Sequence, residues 1–556
     1  MIGLIAVTAA GRAAALRLAG AWPGQTRLYD GTARSEVPRA WSQCDELVCF
    51  LAVGATVRLV APLLESKWTD PAVVCVDESA RHVVALVGGH AAGANALAGR
   101  VAGVLGADPV ITTATDAAGL PGLDSLGWPS EGALGAVSRA LLDGEPVRLE
   151  ADASWPLPAL PATVGGKGDY RIVVTDRVVA LDQRTVVLRP PSLAVGVGAS
   201  SGVTADEILG LIDTALAEAG LVGACVTVLA TADAKAGEAG ITNAARMRNW
   251  PLVTYPAARL AEIQVPNPSP AAQAAVGTPS VSEAAALASG DELVVPKHKS
   301  GRATVAVARI RPRGRLALVG LGPGARDLLT PRAVAELRRS SVVVGLDRYL
   351  DQVRDLLRPG TLVLASGLGG EEERARSAVA EARQGRAVAL IGSGDAGIYA
   401  LAGPALDLAG EDIDVIGVPG ITASAAAASL LGAPLGHDHA VISLSDLNTG
   451  WQVIERRVRA AAEADFVVAF YNPRSGERDW QLPAALAILA THRPPDTPAA
   501  VVRDAERPGQ RVVLTTLAGL DPEAADMHSI VLVGSSATRV VAGRMVTPRG
   551  YPWQPQ

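Results

Sequence analysis

Three glycine corners in the second half of the chain carry the residue types best suited to holding a compact ligand. Gly320-Leu321-Gly322-Pro323-Gly324 follows the apolar run Leu316–Val319. Gly392-Ser393-Gly394-Asp395-Ala396-Gly397-Ile398-Tyr399 follows Ala387–Ile391. Pro419-Gly420-Ile421-Thr422-Ala423-Ser424 follows Asp414–Val418. Each reads as strand, tight loop and helix, and ligands of open α/β sheets bind at the carboxyl ends of strands. Gly320, Gly322 and Ala325 also satisfy G-x-G-x-x-A, the pattern of a dinucleotide loop. Pro323 removes one backbone donor from that loop, and no acidic residue closes a second strand about 20 residues on. Together the corners suit a ligand held by backbone groups and by the carboxylate of Asp395. Glycines that only make tight turns between strand and helix are the alternative.

The first half gathers polar side chains at similar joints. One group is Arg58, Lys67, Asp70, Asp77, His90, Asn95, Thr112, Thr113, Thr115 and Asp116. Another is Thr231, Asp233, Lys235, Glu238, Ser282, Glu283, Lys297 and Lys299. Singly, most of these residues suit helix capping. No nucleophile elbow and no Ser/His/Asp arrangement is visible.

These joints need a scaffold, and the pattern supplies one. Short Val/Ile/Leu/Ala runs (Ile2–Val7, Glu46–Val53, Ala72–Val76, Leu193–Val197, Val226–Ala230, Ser341–Val344, Phe466–Phe470) alternate with helix-sized segments. Runs of this kind predict parallel strands covered on both faces, hence an α/β protein. Thr204 and Glu207 form a capping-box pattern, and Thr330-Pro331 a cap with proline at the first helical position. At 556 residues the chain is long enough for several domains. The spacing predicts domains at 1–120, 121–191 (a middle or bridge region that contains the proline- and glycine-rich stretch 155–168 and ends in a short β-rich bridge), 192–310, 315–438 and 439–556, with a basic linker at 311–314. Hydrophobic residues make up 49% and charged residues 19%, which excludes global disorder. A net charge of −6 and 3% aromatics argue against a nucleic-acid partner. Cys44, Cys49, Cys75 and Cys225 have no zinc-like spacing and read as reduced thiols of a cytoplasmic protein, and no protein metal site is expected. No apolar run is long enough to span a membrane, and the start, lacking a basic region before its apolar stretch, reads as a first strand rather than a signal peptide.

The segments GLGPGARDLLT, GSGDAGIYALAG, GVPGITASAAAASLLGAPLGHDHAVISLSDL and FYNPRS, in this order, resemble the tetrapyrrole methylases. Among these the match is to the precorrin-3B C(17)-methyltransferases of cobalamin biosynthesis. The resemblance covers about Arg315 to Trp553. It implies a two-domain fold, S-adenosylmethionine bound between the domains, a homodimer formed through this half, and a ring-contracted product. Carried over by position, the cofactor contacts are Pro323, Gly394, Asp395, Ile398, Thr422, Ala423, Asn472 and Ala505. His437, Asp438, Ser443, Ser445 and Asp446 fall where the family lines its substrate trough, with His437 and Asp446 as catalytic candidates. His437 and His439 also suit a turn beside Gly436. Arg474, Arg478 and Arg503 are candidate partners for the carboxylates of the substrate.

GATVRLVAPLLESKWTDPAVV, GGHAAGANALA, TTATD, ATADAKAGEAG, GTPSVSEAAAL and VPKHKSGRATVAVAR resemble the cobalt-precorrin-5A hydrolases, over about Met1 to Arg309. The resemblance implies opening of a δ-lactone on the macrocycle with loss of acetaldehyde. Two positions depart from the family: Ala92, where a second glycine is usual, and Ala199–Ser201, where a polar or basic turn is usual. Lactone opening needs an activated water and a donor for the developing oxyanion. The catalytic candidates are His90, Glu238 and Lys235, with Lys67 behind them; His90 equally suits a turn residue. The expectation is a two-activity enzyme of corrin-ring synthesis. The alternative is an active methyltransferase joined to a degenerate, tetrapyrrole-binding front half.

Overall fold

The computed structural model describes residues 1–66, 69–89, 92–164 and 166–551. The chain is a multidomain α/β protein, and among the described residues its strands form six sheets. It divides into two compact units, one built chiefly from Met1–Ser154 and Leu160–Pro312, the other chiefly from Arg313–Leu357 and Thr361 onward.

The first unit holds three five- or six-stranded sheets. In the first, Thr26–Tyr29, Ile2–Ala6, Glu46–Phe50 and Ala72–Val76 run parallel, and His82–Val87 joins antiparallel. The run expected as one strand from Glu46 to Val53 breaks at Phe50, and a helix begins at Val53. The stretch expected as a bridge is richer than that. It carries its own five-stranded sheet, with Tyr170–Val174 at the centre and the helix Leu134–Leu142. The third sheet has the order Leu252–Tyr255, Val226–Ala232, Leu193–Ala199, Ala303–Arg309, Glu292–Lys299. Its first three strands are parallel and its last two form an antiparallel hairpin. Leu193, Val195 and Val197 point into one core with Ile208, Ile212 and Leu216 of the helix Ala205–Glu218.

That helix shows how a local rule is diverted. The Thr204 hydroxyl caps it by accepting from Glu207 N–H at 3.2 Å. The Glu207 carboxylate does not complete a capping box. It accepts from Ser300 Oγ at 2.6 Å and from Arg302 N–H at 2.8 Å, and so anchors the hairpin turn of the sheet.

Besides a small sheet of Gly432–Ala433, Arg544–Val546 and Arg539–Val541, the second unit holds two sheets of five strands. In one, all strands are parallel, in the order Leu362–Ser366, Val342–Leu346, Ala387–Gly392, Arg315–Gly320, Asp414–Val418. The other has the order His439–Ser443, Val467–Tyr471, Ser529–Val533, Pro498–Arg503, Arg511–Thr516, parallel only in its first pair. The helix Gln481–Ala490 buries Leu482, Ala485, Leu486 and Leu489 in the core of this sheet. The apolar face of that helix is therefore used inside the unit and is not free for a dimer contact.

Candidate functional site

The three glycine corners meet. Gly320 and Gly420 pack so closely that a β-carbon on Gly420 would lie 2.1 Å from Gly394 O and 2.7 Å from Gly320 C. The Asp395 carboxylate ties the second corner to the third, with Oδ1 accepting from Gly397 N–H at 2.8 Å and Oδ2 from Gly420 N–H at 3.0 Å. The charge predicted to face a ligand thus already holds two loops together.

Around these corners lies a cleft between the two sheets of the unit. Its lining includes Pro323, Gly394, Asp395, Ile398, Thr422, Ala423, Asn472 and Ala505, all eight residues expected to contact a cofactor. Tyr471, at the end of Val467–Tyr471, places its hydroxyl 2.5 Å from Thr422 Oγ1 and accepts from Ser424 N–H at 2.8 Å. Tyr399 donates to Val441 O at 3.0 Å and accepts from Ser443 N–H at 3.1 Å. Burial pushes its phenol above the usual range, so it stays a neutral donor. The two rings lie 5.2 Å apart. Tyr399, Asn472 and Asp504 line the cleft with positive φ angles of 51°, 49° and 46°, left-handed backbone that costs non-glycine residues energy and gathers at functional sites. Arg507 crosses the cleft edge, donating to Pro323 O and, at 2.7 Å, to Ser393 Oγ.

A second cavity adjoins the first through Arg348, Tyr349, Ser393, Tyr399 and Asn472, which line both. It also takes in Ser443 and Ser445, two of the expected trough residues, together with Arg374 and Arg457. His437 and Asp446 line neither cavity. His437 precedes the His439–Ser443 strand, at the end opposite Ser443, and its Nδ1 accepts from Asp438 N–H at 2.7 Å. Asp446 accepts from Gln481 Nε2 at 2.9 Å. The expected carboxylate partners are also committed. Arg474 pairs with Glu523, Arg503 pairs with Asp526 at 3.0 Å, and buried Arg478 donates to Asn472 O at 3.2 Å. Arg348 and Arg457 were missed. The first follows the carboxyl end of Val342–Leu346, which the strand-end rule could have flagged. The second sits on the helix Trp451–Glu463 with no local signal.

In the first unit, His90 and Lys67 lie outside the described residues. Asn95, in the same sequence motif as His90, donates to Thr113 Oγ1 at 3.0 Å and to Asp116 Oδ2 at 2.9 Å. Lys235 lines a different cavity, with none of Asn95, Thr113 or Asp116 in its wall. The Glu238 carboxylate accepts from Gly202 N–H at 3.0 Å and is absent from that wall.

Comparison with known proteins brings this geometry into a family. Residues 315–521 match the model of Tetrapyrrole (Corrin/Porphyrin) Methylases, 193–308 that of Cobalamin synthesis G C-terminus, and 36–116 that of Cobalamin synthesis G N-terminal. The chain is 47% identical over 239 residues to the Salmonella typhimurium protein named "Probable cobalt-factor III C(17)-methyltransferase", covering 42% of this chain and 99% of that one. The chain belongs to the tetrapyrrole methylases. It is also 37% identical to the precorrin-3B C(17)-methyltransferase of a Sinorhizobium species, over 43% of this chain and 97% of that one. The solved structure of the methyltransferase CobJ is 39% identical over 42% of this chain and 100% of its own, with a TM-score of 0.41. The tetrapyrrole methylase model falls chiefly in the second unit, and the cobalamin synthesis G models fall wholly in the first. Among the described residues, no helix is long and apolar enough to cross a membrane.

Proposed function

We propose that residues 315–556 transfer a methyl group from S-adenosylmethionine to C-17 of a precorrin-3B-type tetrapyrrole, with ring contraction, and that residues 1–310 open a cobalt-precorrin-5A-type lactone and release acetaldehyde. The observation that carries the first activity is the convergence of eight separately placed residues, from Pro323 to Ala505, on one cleft. The donor set suits the cofactor. Ile398, Ala423, Val502 and Ile530 offer an apolar wall for an adenosine. Arg348 and Arg507 line the same cleft as Asp395 and Asp504, which supplies both signs that a zwitterionic tail needs. The cofactor would supply an electrophilic methyl group. The protein's part is to hold the acceptor carbon in line with it and to exclude water, so positioning carries much of the rate. The adjoining trough, with Arg348 and Arg457, is the proposed seat of the carboxylated macrocycle.

The homodimer implied by the methylases is also proposed here, through a surface other than the Gln481–Ala490 helix. For the first unit, a binding-only role is a second reading. It draws support from Glu238, whose carboxylate is committed to Gly202 N–H.

Two assays on the full chain test the proposal. Incubation with precorrin-3B and methyl-labelled cofactor should put label on the corrinoid, and absence of label would overturn the methyltransferase assignment. Acetaldehyde trapped from cobalt-precorrin-5A separates hydrolase from binding module. None above the uncatalysed rate would leave the binding reading.

A further inference from the structure

The chain is almost free of lysine. Of its 50 basic residues only five are lysines, and the rest are arginines. Three of those five, Lys235, Lys297 and Lys299, line a single cavity of about 390 Å³ in the first unit. Arg302 is the fourth cation in its wall, and among the described residues the wall contains no carboxylate. In a chain that otherwise uses arginine for positive charge, lysine gathered at one place marks a need for the compact, rotatable ammonium that arginine does not offer.

The cavity sits where the fold puts ligand sites. Gly198, Ala199 and Ser200 come from the carboxyl end of Leu193–Ala199, and Lys235 from the turn after Val226–Ala232. Lys297 and Lys299 belong to the neighbouring hairpin strand, and Ser300–Thr304 to its turn and return. The carboxyl ends of parallel strands are the usual site in open α/β sheets. The acids nearby are directed elsewhere. Glu207 holds Ser300 Oγ and Arg302 N–H, which sets the turn. Glu283 is fully buried and accepts from Asn267 N–H, Asn267 Nδ2 and Lys297 N–H. Glu238 accepts from Gly202 N–H. Among the described residues none of the four cations ion-pairs with a carboxylate. Lys297 Nζ donates to Asn267 O, and Arg302 donates to Gly202 O at 3.3 Å. On the other side the wall is apolar, with Ala272, Val276 and Val281.

We propose that this cavity is a binding site for an organic polycarboxylate, with the acidic arms on the lysines and an apolar frame against Ala272, Val276 and Val281. An inorganic anion would leave that apolar wall without use. The site deepens the reading of the first unit and rests on it for the ligand class, a carboxylated macrocycle, and it stands whether or not that unit turns the ligand over.

Calorimetry on the full chain tests it, with benzenehexacarboxylate as probe and pyrophosphate as the phosphate arm. At low salt the hexacarboxylate should bind. A Lys235→Gln/Lys299→Gln double variant should weaken it at least tenfold, and half-molar salt should weaken it in the wild type. Affinity for S-adenosylhomocysteine should be the same in both proteins, which checks folding of the other unit, and circular dichroism checks the first. If the double variant does not fold, Lys299→Gln alone, at an exposed position, should cost at least threefold. No binding to wild type, equal affinity in wild type and a folded variant, or tighter binding of pyrophosphate than of the hexacarboxylate would each overturn the proposal. A wild-type protein that binds the probe but releases no acetaldehyde from cobalt-precorrin-5A would sink the lactone reading and leave this site standing.

Discussion

Gly322 and Gly394 exchange both backbone hydrogen bonds, Gly322 N–H to Gly394 O at 3.0 Å and Gly394 N–H to Gly322 O at 2.7 Å. The pair joins the first glycine corner to the second, and both residues have positive φ, 74° and 65°. Their neighbours differ, and that separates two substitutions. A β-carbon on Gly394 meets nothing closer than Thr422 Cα at 3.6 Å, so Gly394→Ala should cost only the left-handed backbone penalty of about 1–2 kcal/mol. A β-carbon on Gly420 would lie 2.1 Å from a backbone carbonyl. Gly420→Ala should therefore force the corners apart and abolish cofactor binding. Calorimetry with S-adenosylhomocysteine and thermal melts of both variants check this. Equal behaviour of the two would show that the corners tolerate separation.

Asp395→Asn should both loosen the loops and weaken cofactor binding. An amide offers one acceptor where the carboxylate offers two, so either Gly397 N–H or Gly420 N–H loses its partner. Losing the part-buried Gly420 bond costs about 1–3 kcal/mol, whereas the exposed Gly397 N–H can turn to water at less cost. The melting temperature of the second unit should fall together with affinity. Weaker affinity at unchanged stability would instead assign the carboxylate to the ligand alone.

How much of this was legible in the sequence depends on the range of the interaction. The runs Leu316–Val319, Ala387–Ile391 and Asp414–Val418 are strands because an uninterrupted apolar run with glycine at its end has few other solutions. The corners that follow them were legible for the same reason. The direction of the Asp395 carboxylate was not, because it depends on Gly420, which lies 25 residues away in the chain. Glu207 misled in the same way, since its carboxylate finds Ser300 across 93 residues rather than its own helix cap. Arg457 carries no local mark at all. It is one arginine among several on an amphipathic helix, and only the packing of that helix brings it to the trough.

Arg457→Gln should raise KM for the tetrapyrrole about tenfold or more and leave cofactor affinity unchanged. Arg457 lines the trough and not the cleft. A charge-assisted contact to a carboxylate is worth about 1.5–3 kcal/mol. Steady-state kinetics with varied substrate, alongside calorimetry with S-adenosylhomocysteine, separates the two effects. An unchanged KM would remove the trough from substrate binding.

The cysteines should be silent toward thiol reagents in the folded protein. All four are buried. Burial pushes the thiols of Cys49 and Cys75 up and that of Cys225 to about 12, so almost no thiolate is present near neutral pH. Titration with a chromogenic disulfide should detect no rapidly reacting thiol until denaturant is added, and then four. Rapid labelling of any one would contradict its burial.

The last prediction concerns pH. His298, in the strand Glu292–Lys299, has Nδ1 3.0 Å from Pro296 O and Nε2 3.1 Å from Glu218 Oε2. The backbone carbonyl first, and then the carboxylate, raise its pKa above the usual 6.5. A histidine raised on folding contributes stability that is fully present below its unfolded pKa and is lost as pH rises through the folded value. The first unit should therefore lose part of its thermal stability as pH climbs from about 6 toward 8.5, and the lost part should be missing at every pH in His298→Gln. The His298 side chain is 31% exposed and its Glu218 partner 64%, so solvent screens the pair and the effect should be small, on the order of 1–3 °C. Glu218→Gln should remove only the carboxylate's share, since Pro296 O still accepts from the ring. Melting curves of the three proteins across that pH range decide it. A wild type whose advantage over His298→Gln grows with pH would reverse the sign and refute the protonated pair.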